Sequence, residues 1–507
     1  MMRSVNRACQ LVPWRGAQAI PVLFAATAIG CAQTLTTLYN FDAMYGGYAK
    51  SALVQATDGD LYGTTSAGGS TAGFCGPAIG CGAIYKITLS GTPTIVYNFC
   101  SEGGSVCPDG VSPYAGLVQT VTGDLYGTTR NGGNFGSGTV FKMTPHGVLT
   151  TLHSFCSHPG CADGEWPFAA LVQAPSGDFF GTTYFGGANG SGGGTIFKIN
   201  PSGVLTTLYS FCSQVNCADG GNPYAGLVLA ASGDLYGTTS CGGAGFGLCP
   251  DYGGTVFTIS PEGPLTTLYS FCSQFGCTDG SNPDGGVLGY GGNFYGTTAG
   301  GGANGGGSIF EITPAGSLTT LYSFGNPAQG VPAGGDDPYA GLVLGTDGNF
   351  YGTTEVGGEP YGAGDGTIFK IAPEGTLTTL YTFCTQANCA DGAVPDSGMV
   401  QATDGAFYGT TTQGGTDAYG TAYRLDVGLG PFVKTLPTSG KVAKAVQILG
   451  TDLAGATNVS FNGVAAAFTV VSKSLIKTTV PVGATTGFVT VTTTTGILKS
   501  NVRFSVL

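Results

Sequence analysis

"GDLYGTT" at residues 233–239 is one of seven near-copies of a single strand. Identical strings begin at Gly59 and Gly123, and close variants ("GDFFGTT", "GNFYGTT", "GAFYGTT") begin at Gly177, Gly292, Gly348 and Gly405. Three other runs recur around each copy: one like "AGLVLA" before it, then ones like "GTVFTI" and "LTTLYSF". Runs of about five to seven residues rich in Val, Ile, Thr and aromatics suit strands rather than helices. Asp-Gly or Ser-Gly joins the first two runs, as in a tight hairpin. A Pro-then-Gly turn such as "SPEG" joins the last two. The aromatic anchors Tyr62, Tyr126, Phe180, Tyr236, Tyr295, Tyr351 and Tyr408 stand 54 to 64 residues apart. Four antiparallel strands, repeated seven times, predict a seven-bladed β-propeller.

The ends of the repeat region predict how it closes. The chain opens with a fourth-strand copy, "TLTTLYNF", at 34–41, while the last repeat stops after its third strand, "GTAYRL", at 420–425. The first segment therefore supplies the strand that the last repeat lacks. Such a strap leaves no sheet edge open to aggregation. The expected fold class is all-β: a seven-bladed propeller closed by an N-terminal strand, followed by a β-sandwich.

Composition agrees. Of 507 residues 92 are Gly, and only 9% are charged, yet 42% are hydrophobic. Apolar strands interleaved with glycines are not a disordered composition. Arg3, Arg7 and Arg15 followed by the apolar "AQAIPVLFAATAIG" read as a signal peptide over residues 1–32. The run is short for a membrane span. A lipid anchor at Cys31 is the alternative, on a weak lipoprotein box. The expected location is secreted or cell-surface. The remaining cysteines fall into close pairs: Cys75/Cys81, Cys100/Cys107, Cys156/Cys161, Cys212/Cys217, Cys241/Cys249, Cys272/Cys277 and Cys384/Cys389. Local disulfides are expected, each contributing about 2 kcal/mol by restricting the unfolded chain. Zinc would need two of these pairs brought together or a pair plus histidines, and His146, His153 and His158 all lie in one region. All but one of the 29 acids precede residue 431, whereas seven of the 17 bases follow it. An acidic repeat region repels phosphate backbones, so no nucleic-acid partner is expected.

The unit "LYSFC…DG..PYAGLVQA.DGDLYGTT..GG…G.GTIFKI.P.G.LTTL" resembles the GloVer tandem repeat over about residues 34–426. That resemblance implies export and no established activity. The C-terminal stretch alternates apolar and polar residues over short strands. It resembles an IPT/TIG domain, an immunoglobulin-like sandwich, through residues that include Pro437, Ser439, Gly440, Phe461, Asn462, Gly463, Pro481 and Phe504. Ala443 departs from the Gly usual there. The predicted domains are a signal peptide (1–32), the propeller (33–428) and the sandwich (429–507).

Alternating strand direction puts the short turns on one face and all the long, cysteine-bearing loops on the other. Rigid scaffolds present binding loops in this way. Three residue sets stand there. Tyr48, Tyr114, Phe168, Tyr224 and Tyr339, where the chain turns into the innermost strand, are candidates to ring the channel mouth and stack on sugars; packing between blades is the alternative. Asp109, Asp163, Asp219, Asp279 and Asp391 of the "DG" pairs are candidates for calcium, with turn structure as the alternative. The Thr pairs of "YGTT" read as strand fillers. No metalloprotease, nucleophile-elbow or phosphate-loop motif occurs. Carboxylate pairs such as Glu165 with Asp163 or Glu355 with Glu359 lack a spacing that places them across a sugar. The expected function is a monomeric, non-catalytic binding or surface-interaction protein for an extracellular glycan or surface protein, with no cofactor beyond calcium as an open option. The alternative is a propeller-type polysaccharide hydrolase or lyase.

Overall fold

A computed structural model describes residues 33–42, 46–69, 75, 80–101, 106–189, 192–243, 253–325, 335–358 and 365–507. The signal-peptide and Cys31 expectations lie outside these residues, as do Cys249 and Glu359. Among the described residues no helix is long and apolar enough to cross a membrane.

Sheet one pairs Val54–Gln55, Leu61–Thr65, Ala83–Ile87 and Pro93–Asn98 antiparallel in chain order. The next five repeats build sheets two to six in the same order. Sheet seven takes Val400–Gln401, Phe407–Thr410 and Thr421–Asp426 from the last repeat and Thr34–Asn40 from the first described segment. Thr34 stands opposite Asp426 and Asn40 opposite Thr421, so the expected strap is in place. The result is a propeller-like array of four-stranded sheets.

The repeated letters follow from how neighbouring sheets touch. The Phe ending each fourth strand meets the aromatic of the next sheet's third strand edge-on or tilted, as in Phe99–Phe141 at 5.4 Å and Phe211–Phe257 at 5.2 Å. The cycle closes with Phe383–Tyr423 and Phe41–Tyr85, both at 5.2 Å. The third-strand ring lies over the Gly of its own "YGTT"; a Cβ at Gly127 would stand 2.6 Å from the Phe141 ring. Gly is required there by close approach, not by backbone conformation.

The threonines are not strand fillers. The first of each pair reaches across to the next sheet and donates to a backbone carbonyl where that chain turns inward. Thr64 donates to Ala115 at 3.1 Å, Thr182 to Ala225 at 3.2 Å, Thr238 to Pro283 at 2.7 Å and Thr297 to Ala340 at 3.0 Å. Thr410 closes the circle on Ala49 at 2.9 Å. The second threonine stays within its sheet, bonded to a hydroxyl on the third strand, as in Thr129–Thr139 and Thr239–Thr255, both 2.8 Å. In sheet one Ala83 replaces that hydroxyl, and Thr65 Oγ1 is buried without a partner.

Residues 433–506 form two four-stranded sheets and a parallel pair around a core of Val446, Ile448, Val459, Phe461, Ile476, Val491 and Phe504. This unit rests on the short-turn face of the repeat region. Phe432 N–H donates to Thr403 O, Lys434 Nζ to Gln401 O, Gln447 to Val121 O and Ser474 to Thr57 O. The long-loop face stays uncovered by it.

Ala83→Ser should give Thr65 its missing hydroxyl partner and raise stability by about 1 kcal/mol. Thr410→Val should strand the Ala49 carbonyl and cost about 1–3 kcal/mol. Thermal unfolding of the two variants against the parent tests both signs.

Candidate functional site

Two repeat positions meet at the uncovered mouth. The lower one follows the Pro that leads into each innermost strand. It is occupied by Tyr114, Phe168, Tyr224, Asp284, Tyr339 and Asp396, with Lys50 after Ala49 in the first repeat. The upper one follows each Thr pair and holds Ser66, Arg130, Tyr184, Ser240, Ala299, Glu355 and Thr412. A uniform backbone bond defines the pairing. The amide of each upper residue donates to the carbonyl two residues before the lower one, as in Ser66 to Tyr48, Arg130 to Ser112 and Thr412 to Val394. Tyr48 and its counterparts share a left-handed backbone, φ 55 at Tyr48, 53 at Ser112 and 57 at Trp166. Tyr48 therefore stands two residues off the expected ring, 41% exposed, against Tyr419; Lys50 holds the ring position instead. The sequence misaligns here because "YAKSALVQA" lacks the Pro that marks this turn in the other repeats.

Below these side chains the seven segments touch in a cycle of small residues. A Cβ on Gly116 would lie 3.1 Å from Ala52 O, one on Gly226 3.2 Å from Ala170 O, and one on Gly341 2.4 Å from Gly285 O. Gly398 completes the cycle against Ala52 and Gly341. The mouth is thus a funnel with a narrow floor.

Four of the five proposed aromatics do come together. Tyr114–Phe168 ring centroids are 5.4 Å apart, Phe168–Tyr224 5.0 Å and stacked, and Tyr224–Tyr339 6.1 Å. Tyr184 adds an edge against Phe168 and Tyr224. Three carboxylates stand at funnel positions, Asp284, Asp396 and Glu355. Asp284 is almost wholly buried, which pushes its pKa up to about 6 against the hydrogen bonds of Ser240 and Tyr339. Asp396 is also raised to about 6, by burial first; the Lys50 ammonium at 3.2 Å opposes the rise and Glu355 adds to it. Asp337, beside Asp336 and Glu355, is raised to about 6, again chiefly by burial. Burial also lifts the Tyr224 and Tyr339 hydroxyls, with Asp284 adding to both. Neither Asp284 nor Asp396 was singled out by sequence, although their departures from the repeat, "NPDGG" and "VPDSG", were the available signal.

The "DG" carboxylates do something else. Asp219 Oδ2 accepts from Tyr209 Oη at 2.8 Å, Ser213 Oγ at 2.8 Å and Ser213 N at 2.9 Å, and Oδ1 from Gln214 N. Asp279 and Asp391 repeat the arrangement. Asp163 does so with His153 in place of Tyr, and Asp109 accepts from Tyr97. Burial works to raise Asp163, but His153 and Ser157 outweigh it and hold its carboxyl well below the usual range. Each carboxylate thus braces the loop of its own sheet. A cation would have to displace those donors. The loops carry disulfides at Cys100–Cys107, Cys156–Cys161, Cys212–Cys217, Cys272–Cys277 and Cys384–Cys389; Cys75–Cys81 braces a second-to-third loop, and Cys241 is also bonded. A cleft of about 520 Å³ on the outermost strand of sheet two is lined by Phe135, Thr151, His153 and Asp109. Its His153 and Asp109 are engaged in these loop braces.

The Gloeobacter/Verrucomicrobia repeat model matches residues 14–246 and 212–423. The chain belongs to this repeat family. Among this chain's own repeats the first threonine, which latches one sheet to the next, and the loop-brace residues recur, whereas the two funnel positions change from sheet to sheet. No curated protein matches the chain. Among solved structures it is similar to a protein assigned as a gluconolactonase, at 10% identity and TM-score 0.37, covering 79% of this chain and 94% of that one. A Bacteroides thetaiotaomicron protein is 14% identical with TM-score 0.36, covering 68% and 82%. A puromycin hydrolase mutant is 13% identical with TM-score 0.43, covering 90% of this chain and 59% of that one.

The raised carboxylates make stability depend on pH with a definite sign. Between about pH 4 and 6 the folded chain holds protons that the unfolded chain has released. The contribution of these groups should be full below about pH 4, fall as pH rises to about 6, and then level, whereas that of the depressed Asp163 is lost only as pH falls below about 4. Asp284→Asn should remove part of that slope and stabilise the chain at pH 8 by about 2 kcal/mol. Urea unfolding at pH 4.5, 6 and 8 checks this; an unchanged slope would contradict the burial argument.

Proposed function

We propose that this is an exported, non-catalytic binding protein whose funnel holds a glycan. The observation that carries the reading is the convergence of Tyr114, Phe168, Tyr224 and Tyr339 with Asp284 and Asp396 in one uncovered mouth. Aromatic faces take up the apolar faces of sugar rings, and buried carboxylates accept from their hydroxyls. The reading includes a closed seven-bladed propeller over 33–428, an IPT/TIG-type immunoglobulin-like module over 429–507 as spacer, a signal peptide over 1–32 and a monomeric state. The cyclic Phe contacts and the strap support the closed ring. Disulfides braced in the loops support an oxidising, extracytoplasmic location, secreted or at the cell surface.

A second reading, a propeller-type polysaccharide hydrolase or lyase, draws on one feature. Asp284 and Asp396 have pKa values near 6, suited to holding or passing a proton, and Lys50 lies beside one of them.

A glycan array with residues 33–507, run with and without calcium, separates the two. Binding without turnover is expected, unaffected by calcium. Phe168→Ala and Tyr224→Ala should each weaken it about tenfold, on the scale of a lost aromatic contact. Silence across the array together with cleavage of a polysaccharide, lost in Asp284→Asn, would give the enzyme reading instead.

A further inference from the structure

We propose that the funnel selects a sugar bearing a carboxylate, and that Arg130 receives that carboxylate. This rests on the glycan-binding reading and names the ligand class of the same site.

Arg130 occupies the upper position of sheet two, above Tyr114 and beside the mouth. Its guanidinium carbon lies 4.7 Å from the Trp166 ring centroid, 5.1 Å from Phe168 and 5.6 Å from Tyr114. Two of these three rings are the funnel's own. No carboxylate pairs with it among the described residues, its side chain makes no hydrogen bond there, and its Nε is buried without a partner. Lys50, Lys86, Lys142 and Arg424 are paired with aspartates, whereas Lys198 and Lys370, like Arg130, have no ion pair among the described residues; of these three, Arg130 is the one held against aromatic rings. The upper position in sheet six carries Glu355 instead, so the two ends of the mouth differ in sign.

Cation–π contact engages a guanidinium through its π-face and leaves the terminal N–H donors, unlike the buried Nε, available to a ligand. Those donors form a fork that matches a carboxylate in two parallel hydrogen bonds. Rings on several sides hold the half-buried guanidinium in place, and its Nε is out of water, so a partner for the terminal donors gains more than it would at an open surface. A sugar resting on Phe168 and Tyr224 would present a ring substituent toward Arg130. A neutral hydroxymethyl there leaves the charge unpaired, whereas a carboxylate neutralises it. Sites built to bond a polar group discriminate strongly against ligands that lack it.

The test is calorimetric titration of the disulfide-bonded chain with tetramers of galacturonate, glucuronate and mannuronate and with their carboxyl-reduced counterparts. At least one acid tetramer should bind about tenfold or more tightly than its reduced form. Arg130→Gln should bring the acid form down to the level of the reduced one and leave the reduced one within about threefold. Arg130→Lys should keep part of the preference, because the charge remains without the fork. Equal binding of acid and reduced tetramers overturns the proposal while the glycan reading survives. So does an acid preference that Arg130→Gln leaves intact, or an equal loss for both forms, which would make Arg130 a support for the aromatic rings alone. If no acid or reduced tetramer binds while neutral glycans do, only the proposal falls; if no glycan binds, both fall. Should Arg130→Gln not fold, the comparison of acid with reduced tetramers on the parent chain still decides.

Discussion

One hydroxyl, repeated around the ring, holds the array together. The first threonine of each "YGTT" donates to a carbonyl of the neighbouring sheet at the point where that chain turns toward the axis. A strand pair bonds only within its own sheet, and apolar stacking between sheets has no preferred direction. The threonine bond adds direction, because it fixes where one sheet's second strand sits against the next sheet's innermost strand. The backbone it grips is the segment that carries the lower funnel residues. The scaffold and the site are therefore built from the same contact.

That contact works only because other letters make room. The Gly between Tyr and Thr leaves space for the third-strand ring, and the ring reaches the preceding sheet's Phe. Removing any of the three loosens two sheets at once. Sheet one shows what a departure looks like. Ala83 replaces the usual hydroxyl and leaves Thr65 Oγ1 orphaned, and Tyr85 and Tyr423 each bury a hydroxyl without a partner. These irregularities fall in sheet seven, which contains the strap, and in sheet one beside it.

The same economy explains why the funnel can be chemically uneven. Latch, ring and loop brace use the letters that recur. The side chains at the two funnel positions take no part in those contacts, so Lys, Tyr, Phe, Asp or Glu can stand there without breaking them, although burying an acid there costs stability at neutral pH. Acids gather toward sheets five to seven and an aromatic-caged arginine stands at sheet two. The C-terminal unit lies on the short-turn face, so among the described residues it does not touch that mouth.

Repetition made the strands, their antiparallel order, the strap and the cysteine loops legible from the letters alone, since each follows from local pattern and spacing. The aromatics at Tyr114, Phe168, Tyr224 and Tyr339 were legible too, as one position read down the repeats. The "DG" aspartates were legible as turn residues but not as loop braces, because their donors Tyr209 and Ser213 sit on either side of the preceding disulfide's first cysteine. Asp284, Asp396, Lys50 and Arg130 were hidden because each departs from the repeat, and a departure has meaning only when the other six positions are laid beside it in space. Local chemistry determined the sheets. Packing the sheets against one another decided which side chains face one another, because only that array brings residues hundreds of positions apart to a common mouth.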